Sequence, residues 1–494
     1  MRLTASDFIS YQRPTRCDLR VFLRQRREEE AAPGPYEEVL RRLGLRHEKD
    51  HLATLGRFTD LSAPSLHEQV KETAEAIAKK VPILYQPAFS VNTILGGTEV
   101  EIVGVPDFLI LDGSDYLIRD SKMSRRIDEE NHPEILLQVQ LYGWLFEKTC
   151  GVAPKGLQVH SGTGEIVAVH NDGGKSALQE LERLLFLKQL TAEPYEPIGW
   201  SKCIGCGFTD RCWSKAEKDS DVALVYGVDQ SLARTLHSEG IRSRTDLLAK
   251  FDAVSLSELK RPYGSREQRV GKLAERILQF ADALERKQEA VLSAPAIPPH
   301  DNYVMFDLEG MPPHLDELDR IYLWGTQVYG EKPSEFKFAL SGFGVDGDKE
   351  CWLGFLASAK QIFETYGDIP FVHWAPYERT YLRRYVERFG DSESIAARVE
   401  ANLLDLLTVT RDSLVLPLPS FSLKVVEDYV GFERKEADYG GAWAMATFIE
   451  ATETSDEGKR RELMDKIVAY NREDLEATWA VFRWLRCKVR VSNS

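Results

Sequence analysis

No apolar run in these 494 residues approaches the roughly 18 that a membrane span requires, so no membrane contact is expected. The opening stretch, MRLTASDFISYQRPTRCDLR, lacks the apolar centre of a secretory leader, and the cytoplasm is the expected compartment. No G-x₄-G-K-[ST] loop is present, so ATP is not expected to drive any chemistry. Internal repeats and low-complexity tracts are missing too. There is no cationic excess: 63 Lys and Arg face 78 Asp and Glu, a net charge of −15. That balance argues against a chain that simply coats a polyanion, but it suits acidic metal centres, whose carboxylates enter the count. Local basic stretches remain, Arg13, Arg16, Arg20, Arg24, Arg26 and Arg27 near the start and Arg119, Lys122, Arg125 and Arg126 later. Either could be plain solvated surface. Cysteine is scarce, at seven residues. In a reducing compartment disulfides are not expected, so clustered cysteines point to metal or redox chemistry.

What is present separates into three regions. Residues 1–215 read as α+β: an Arg-rich helical start, then alternating strands through LYQPAFSVNTILGGTEVEIVGVPDFLILDGSDYLIRDSK, with Gly96-Gly97 and Asp112-Gly113 as hairpin turns. A helix is predicted over about 133–149, a hairpin in GLQVHSGTGEIVAVH, and a Leu-rich helix over about 175–190. Residues 216–292 read as helical, and LVYGVDQSLARTLHSEGIRSRTDLL resembles a helix-hairpin-helix element with Gly227 and Gly240 as its turn and cap glycines. Such elements bind nucleic-acid backbone through loop amides; a plain helical spacer is the other reading. The Pro/Ala stretch SAPAIPPHDN, 293–302, is the clearest boundary. Residues 300–488 alternate strands and helices and form an α/β domain.

Two acidic constellations carry chemistry. GVPDFLILDGSDYLIRDSK puts Asp107 at one strand end and Asp120-Ser121-Lys122 at the end of its hairpin partner. The i, i+2 spacing sets Asp120 and Lys122 on one face. Asp107 can then join Asp120 around one Mg²⁺ or Mn²⁺, with Lys122 beside the metal-bound water. Gln138 and Tyr142, four apart on a helix, share a face. Upstream, GLRHEKDH offers His47 or His51 as nitrogen ligand, with Glu48 adjoining. In the last region, YVMFDLEG ends a strand in Asp307-x-Glu309, and IVAYNREDLEAT sets Tyr470 one helical turn before Asp474. Separately, Cys203, Cys206 and Cys212 form C-x₂-C-x₅-C, one thiolate short of a closed tetrahedral site.

The ordered set of upstream His, Asp107, Asp120-x-Lys122 and Gln138-x₃-Tyr142 resembles the RecB-like branch of the PD-(D/E)xK nucleases over about residues 1–215. The resemblance implies metal-dependent phosphodiester hydrolysis, usually on DNA. It implies that His47, Asp107 and Asp120 bind metal, that Lys122 is catalytic, and that Gln138 and Tyr142 support the site or contact DNA. One branch of that family carries an iron–sulfur cluster held by one cysteine far upstream and three downstream. It is similar to the CRISPR-adaptation exonucleases and AddB-type nucleases. Here Cys17, 186 residues before Cys203, completes a Cys₄ set suited to a [4Fe–4S] cluster that clamps the domain. Thiolate chemistry alone leaves zinc open.

The strand-borne Asp307-x-Glu309 with Tyr470-x₃-Asp474 resembles the DEDD exonucleases of the RNase H-like superfamily over about 300–488. That implies carboxylate-bridged metal ions at Asp307, Glu309 and Asp474, with Tyr470 orienting water. The middle aspartate of that pattern is replaced: HWAPYERTYL offers Glu378, with Asp405 as the fallback. A domain that only positions nucleic acid is the alternative this departure leaves. The full chain resembles RecB-like nucleases with an appended RNase H-like domain. The expectation is a multidomain α+β and α/β protein, with a restriction-endonuclease-like N-terminal domain, a helical middle and an RNase H-like C-terminal domain. It would be a Mg²⁺- or Mn²⁺-dependent exonuclease on single-stranded DNA or DNA ends. The alternatives are an RNA or RNA–DNA hybrid nuclease led by the C-terminal domain, and a non-catalytic nucleic-acid-binding subunit of a repair or defence complex.

Overall fold

A computed structural model of the chain describes residues 1–311, 319–342, 344–435 and 440–491. The chain divides into two compact units, 1–196 with 201–211 and 197–200 with 212–494. No helix among the described residues is long and apolar enough to cross a membrane.

In the first unit, helices α1 (Asp18–Gln25) and α2 (Pro35–Leu55) precede a six-stranded sheet. Its strands, in spatial order, are β1 (Thr59–Asp60), β2 (Ile83–Tyr85), β3 (Phe108–Asp112), β4 (Asp115–Ser121), β5 (Gly156–His160) and β6 (Ile166–Val169). β3 and β4 form the hairpin expected at Asp112-Gly113, with Gly113 at φ +71°. β5 and β6 form the second expected hairpin. β4 and β5 run parallel. Parallel neighbours need a crossover, and helix α3 (Pro133–Cys150) supplies it. The hairpin Phe89–Leu95/Thr98–Gly104 turns at Gly96-Gly97 and adds Arg2–Thr4 in a separate three-stranded sheet. The apolar residues of α3, among them Ile135, Val139, Leu141, Leu145 and Phe146, lie in the core with Ile102, Leu109, Ile118 and Val159. Gly104 permits this: a Cβ there would stand 2.6 Å from Leu145 Cδ1 and 2.7 Å from Tyr142 Cδ1. Full burial of each such side chain contributes about 1.5–3 kcal/mol.

The second unit centres on a five-stranded sheet built from β7 (Asn302–Gly310), β8 (Ile321–Gly330), β9 (Lys337–Leu340), β10 (Phe371–His373) and β11 (Leu403–Asp405), in the order β9-β8-β7-β10-β11. β7, β8 and β9 are antiparallel, whereas β10 and β11 run parallel to β7. Helix α4 (Tyr377–Phe389) follows β10, and α5 (Leu406–Ser413) follows β11. Helix α6 (Leu423–Tyr429) precedes the long helix α7 (Glu457–Val491), which crosses β7 and β8. β7 is buried along most of its length, the continuous apolar pattern of a central strand.

The middle region carries the expected helices, Gln230–Ser238, Arg244–Lys250, Ala253–Glu258 and Ala274–Arg286. Gly240, at φ +82°, ends the first, and a Ser243–Asp246 capping box starts the second. Their apolar faces join a core with Tyr303, Met305, Leu406 and Leu475. A two-stranded ribbon, Lys260–Tyr263 with Arg266–Arg269, interrupts the helical pattern. Helical periodicity did not predict it; Gly264, at φ +58°, makes its turn.

Candidate active sites

In the first unit the β3–β4 register pairs Phe108 with Arg119, which carries Asp107 opposite Asp120. The Asp107 backbone N–H lies 3.3 Å from Asp120 Oδ1, and Asp107 Oδ2 accepts from the Ser121 N–H at 2.7 Å. Lys122 Nζ sits 2.6 Å from Asp120 Oδ2, as the D-x-K spacing requires. Asp120 is 1% exposed. Burial raises the Asp107 carboxyl well above its usual range, the Asp120 charge adds to this, and Lys122 opposes it. Burial works against the Lys122 charge, but Asp120 and Asp107 outweigh it, so the ammonium is held more firmly than usual.

Gln138 and Tyr142 share a face of α3, and Gln138 Nε2 donates to the Tyr142 hydroxyl at 2.7 Å. Burial, then Asp120 and Asp107, push the Tyr142 phenol well up, so both residues stand beside the carboxylates. Gln138 Oε1 is buried with no hydrogen-bond partner among the described residues, an acceptor suited to a bound water or ion.

Glu48 is the acid that the motif reading left aside. Its Oε1 accepts from Tyr85 OH at 2.7 Å and from Gln86 Nε2 at 2.9 Å, and Gln86 Nε2 also reaches Asp107 Oδ1 at 3.2 Å. The only sequence signal was its place in HEKDH. His47 stacks on His160 with ring centroids 4.5 Å apart, and His51 stacks on the same ring at 3.7 Å. His51 Nε2 lies 3.2 Å from an Arg119 nitrogen. Burial and the neighbouring cations hold His51 and His160 down to about 4, so both rings are neutral at physiological pH. His47 Nε2 is buried without a hydrogen-bond partner among the described residues.

The second unit gathers a tighter acidic cluster. Asp307 and Glu309 come from β7 and Asp474 from α7, and their ligand oxygens all lie within 4.8 Å of one another. This is the only group of three or more potential metal-ligating side chains at that spacing among the described residues. Oxygen-only donors suit a hard divalent cation. Burial raises the Asp307 and Glu309 carboxyls well above their usual range, and Asp474 adds to both shifts. Asn471 Nδ2 donates to Asp307 Oδ2 at 2.7 Å. Gly325, paired with Asp307 across β7–β8, makes room: a Cβ there would fall 1.8 Å from Asn471 Oδ1.

Tyr470 is 6% exposed and bonds through its side chain to Asp474. Arg434 locks that aspartate from the other side. Its Nη2 lies 2.5 Å from Asp474 Oδ1, and its Nε and Nη2 lie 2.5 and 2.8 Å from the two Glu427 oxygens. Lys424 on α6 feels Arg434, Asp474, Glu427 and Glu473, and burial sets its ammonium below the ordinary value. Nothing in GFERKE marked Arg434 from the sequence.

Glu378, at the start of α4, is 2% exposed, and its Oε2 lies 3.1 Å from His373 Nδ1. Its charge bears on Asp307 and Glu309, yet it stands outside the three-carboxylate group. The fallback acid, Asp405, caps α5: its oxygens accept from the Thr408 N–H and hydroxyl at 3.1 and 2.8 Å.

None of the seven cysteines is in a disulfide. Cys17 caps the start of α1. Thr15 Oγ1 donates to Lys202 O at 2.6 Å, and the Asp18 N–H donates to Glu196 at 3.1 Å, tying this segment to the CIGC turn. In that turn the Cys206 N–H donates to Cys203 O at 3.1 Å, and Thr209 Oγ1 lies 2.7 Å from both cysteine carbonyls. Arg20 places Nη1 3.9 Å from Cys206 Sγ, and its backbone N–H bonds to Cys17. Burial, with Glu196 adding to it, raises the Cys17 thiol to about 11. Cys17, Cys203 and Cys206 do not close to the 4.8 Å ligand spacing.

Comparison with known proteins bears on both units. Residues 15–213 match the PD-(D/E)XK nuclease superfamily, and residues 304–486 match the RNase H superfamily. No curated protein sequence matches the chain. Among solved structures, the crystal structure of SSO0001 is 17% identical, covering 43% of this chain and 86% of its own, with a TM-score of 0.22. Nuclease domains of these kinds usually use Mg²⁺ or Mn²⁺ and bind nucleic acid. The chain therefore carries a PD-(D/E)XK nuclease superfamily domain followed by an RNase H superfamily domain.

Proposed function

We propose that the chain is a Mg²⁺- or Mn²⁺-dependent exonuclease with two hydrolytic centres, acting on DNA with single strands or ends favoured. One observation carries the reading: each unit buries carboxylates with a cation fixed against one of them, Lys122 at 2.6 Å from Asp120 and Arg434 at 2.5 Å from Asp474. In the first centre Asp107 and Asp120 hold the ion, and Glu48 takes the place expected of His47. Lys122 positions the attacking water and offsets phosphate charge, while Gln138 and Tyr142 orient Asp120 and the incoming strand. In the second, Asp307, Glu309 and Asp474 hold the ion. Tyr470 orients water, and Glu378, in contact with His373, adds its charge to the field on Asp307. A divalent cation bound by these carboxylates would polarise the phosphoryl group and lower the pKa of a water.

The test is cleavage of labelled single-stranded DNA, duplex DNA, RNA and RNA–DNA hybrid by wild type, Asp120→Ala, Asp307→Ala and the double variant. Each single variant is expected to lose one centre's products by about a thousandfold, the several kcal/mol a metal site supplies. The double variant is expected to cut nothing. If RNA or hybrid cleavage alone survives Asp120→Ala and vanishes with Asp307→Ala, the C-terminal centre leads. A wild type inert on all four substrates would leave only a binding subunit.

The same reading assigns Cys17, Cys203, Cys206 and Cys212 to a [4Fe–4S] cluster. The support is the sequence pattern alone, one cysteine far upstream and three clustered downstream. Anaerobically purified protein should be brown, absorb near 400 nm and lose that band in Cys17→Ser. Colourless protein holding one zinc would refute the assignment.

A further inference from the structure

The ribbon of Lys260–Tyr263 and Arg266–Arg269 is exposed at every position but Arg261. Isolated two-stranded ribbons are marginal in water, and this one is held only at its base. Arg261, 7% exposed, pairs with Asp229 at 2.7 Å, and Ser231 Oγ donates to the Pro262 carbonyl. The Val270 N–H donates to Leu259 O at 3.0 Å. Beyond that base the ribbon contributes no side chain to the hydrophobic cores. Its ten residues hold four cations and one anion in a chain of net charge −15.

The register makes the charge pattern directional. Lys260 stands directly opposite Arg269, and Tyr263 directly opposite Arg266. Alternation puts the first pair on one face and the second on the other. Like charges directly opposite destabilise a ribbon, and a polyanion between them removes that cost. Lys260 and Arg269 have only exposed partners, Glu267 at 3.7 Å and Glu258 at 2.8 Å, pairs worth little in water. The Arg266 side chain has no ion pair or hydrogen bond among the described residues. Tyr263, 63% exposed beside the Gly264 turn, presents an aromatic face at the tip.

We propose that this ribbon is a nucleic-acid-binding arm that lies in the groove of duplex DNA. A two-stranded ribbon fits the major groove, and cations on both faces let it meet the two backbones that flank the groove. The arm would hold the duplex next to the end being cut; this rests on the nuclease reading above.

The test uses the full chain with both centres silenced by Asp120→Asn and Asp307→Asn. Anisotropy reports binding of fluorescein-labelled duplex DNA and single-stranded DNA between about 50 and 200 mM KCl. Adding Lys260→Ala, Arg266→Ala and Arg269→Ala should weaken duplex binding at least tenfold. It should also flatten the log K against log salt slope by about 2–3, one step per lost phosphate contact. The charge-retaining set Lys260→Arg, Arg266→Lys and Arg269→Lys should keep both affinity and slope, which separates charge from folding. Unchanged duplex affinity and slope in the alanine set, with cleavage by wild type intact, would overturn the arm alone. A loss confined to the single strand would overturn the groove assignment. A wild type that neither binds nor cuts nucleic acid would overturn arm and nuclease reading together.

Discussion

Asp307→Asn is expected to melt at a higher temperature than wild type in chelator at pH 8, while the C-terminal centre loses activity. Glu309 and Asp474 are buried beside the half-buried Asp307, and desolvation with mutual repulsion raises the Asp307 and Glu309 carboxyls well above their unfolded values. A carboxyl raised in the folded state contributes stability below its unfolded pKa and loses it as pH rises through the folded one. As pH rises the metal-free cluster therefore becomes a strained set of charges. Asparagine removes one of them and can still accept from Asn471 through Oδ1. The gain is about 1–2 kcal/mol, or roughly 2–5 °C, and it should shrink as the pH is lowered, because the raised carboxyls take up protons more readily in the folded state. Mn²⁺ should reverse the order, because the ion binds the folded wild type and stabilises it by mass action. A variant that melts below wild type at pH 8 without metal would show that packing, not repulsion, governs this cluster.

Arg434→Met should have the largest effect on stability. Arg434 is the guanidinium that neutralises buried Asp474 and Glu427, whose side chains are 10% and 5% exposed. Removing one member of a buried ion pair leaves uncompensated charge and costs about 3–5 kcal/mol. Urea unfolding at pH 7.5 is the direct measurement. Adding Glu427→Gln and Asp474→Asn to Arg434→Met should recover most of the loss, because the orphaned charges go with the guanidinium. Mn²⁺ should recover part of it in the single variant, since a bound cation meets Asp474. If the triple variant is as unstable as Arg434→Met, the arginine acts through packing and not through charge.

The parts of both centres that follow from short-range geometry were legible in the sequence. Asp107 and Asp120 flank one hairpin whose turn, Asp112-Gly113, is visible in the residues, so the register follows. Asp307-x-Glu309 closes an apolar strand, and Tyr470-x₃-Asp474 repeats with one helical turn. Glu48, Gln86, Asn471 and Arg434 were not legible as site residues. Gln86, Asn471 and Arg434 each reach a carboxylate on another element, and Glu48 joins the first set through Gln86, all through side chains that no local period marks. Glu48 sits between two histidines that looked the better ligands, and both of those rings stack on His160. Glu378 was found by position, but its pairing with His373 was not, because that contact spans the turn between β10 and α4. The Lys260–Arg269 ribbon escaped helical periodicity because it has no apolar alternation to display.

The two acidic clusters are also assembled at different moments in the life of the chain. Asp107 and Asp120 lie 13 residues apart across a single hairpin, a contact of low sequence separation that forms early. Asp307 lies 164 residues from Asn471, and the third carboxylate of its cluster stands on α7, the last helix described. During synthesis the first pair of carboxylates is complete long before α7 leaves the ribosome. The second cluster stays open until that helix docks across β7 and β8. A nascent or proteolysed chain that stops short of α7 therefore has one cluster assembled and the other without its closing aspartate; on the proposed nuclease reading, loss of the C-terminal helix is expected to silence one centre and spare the other.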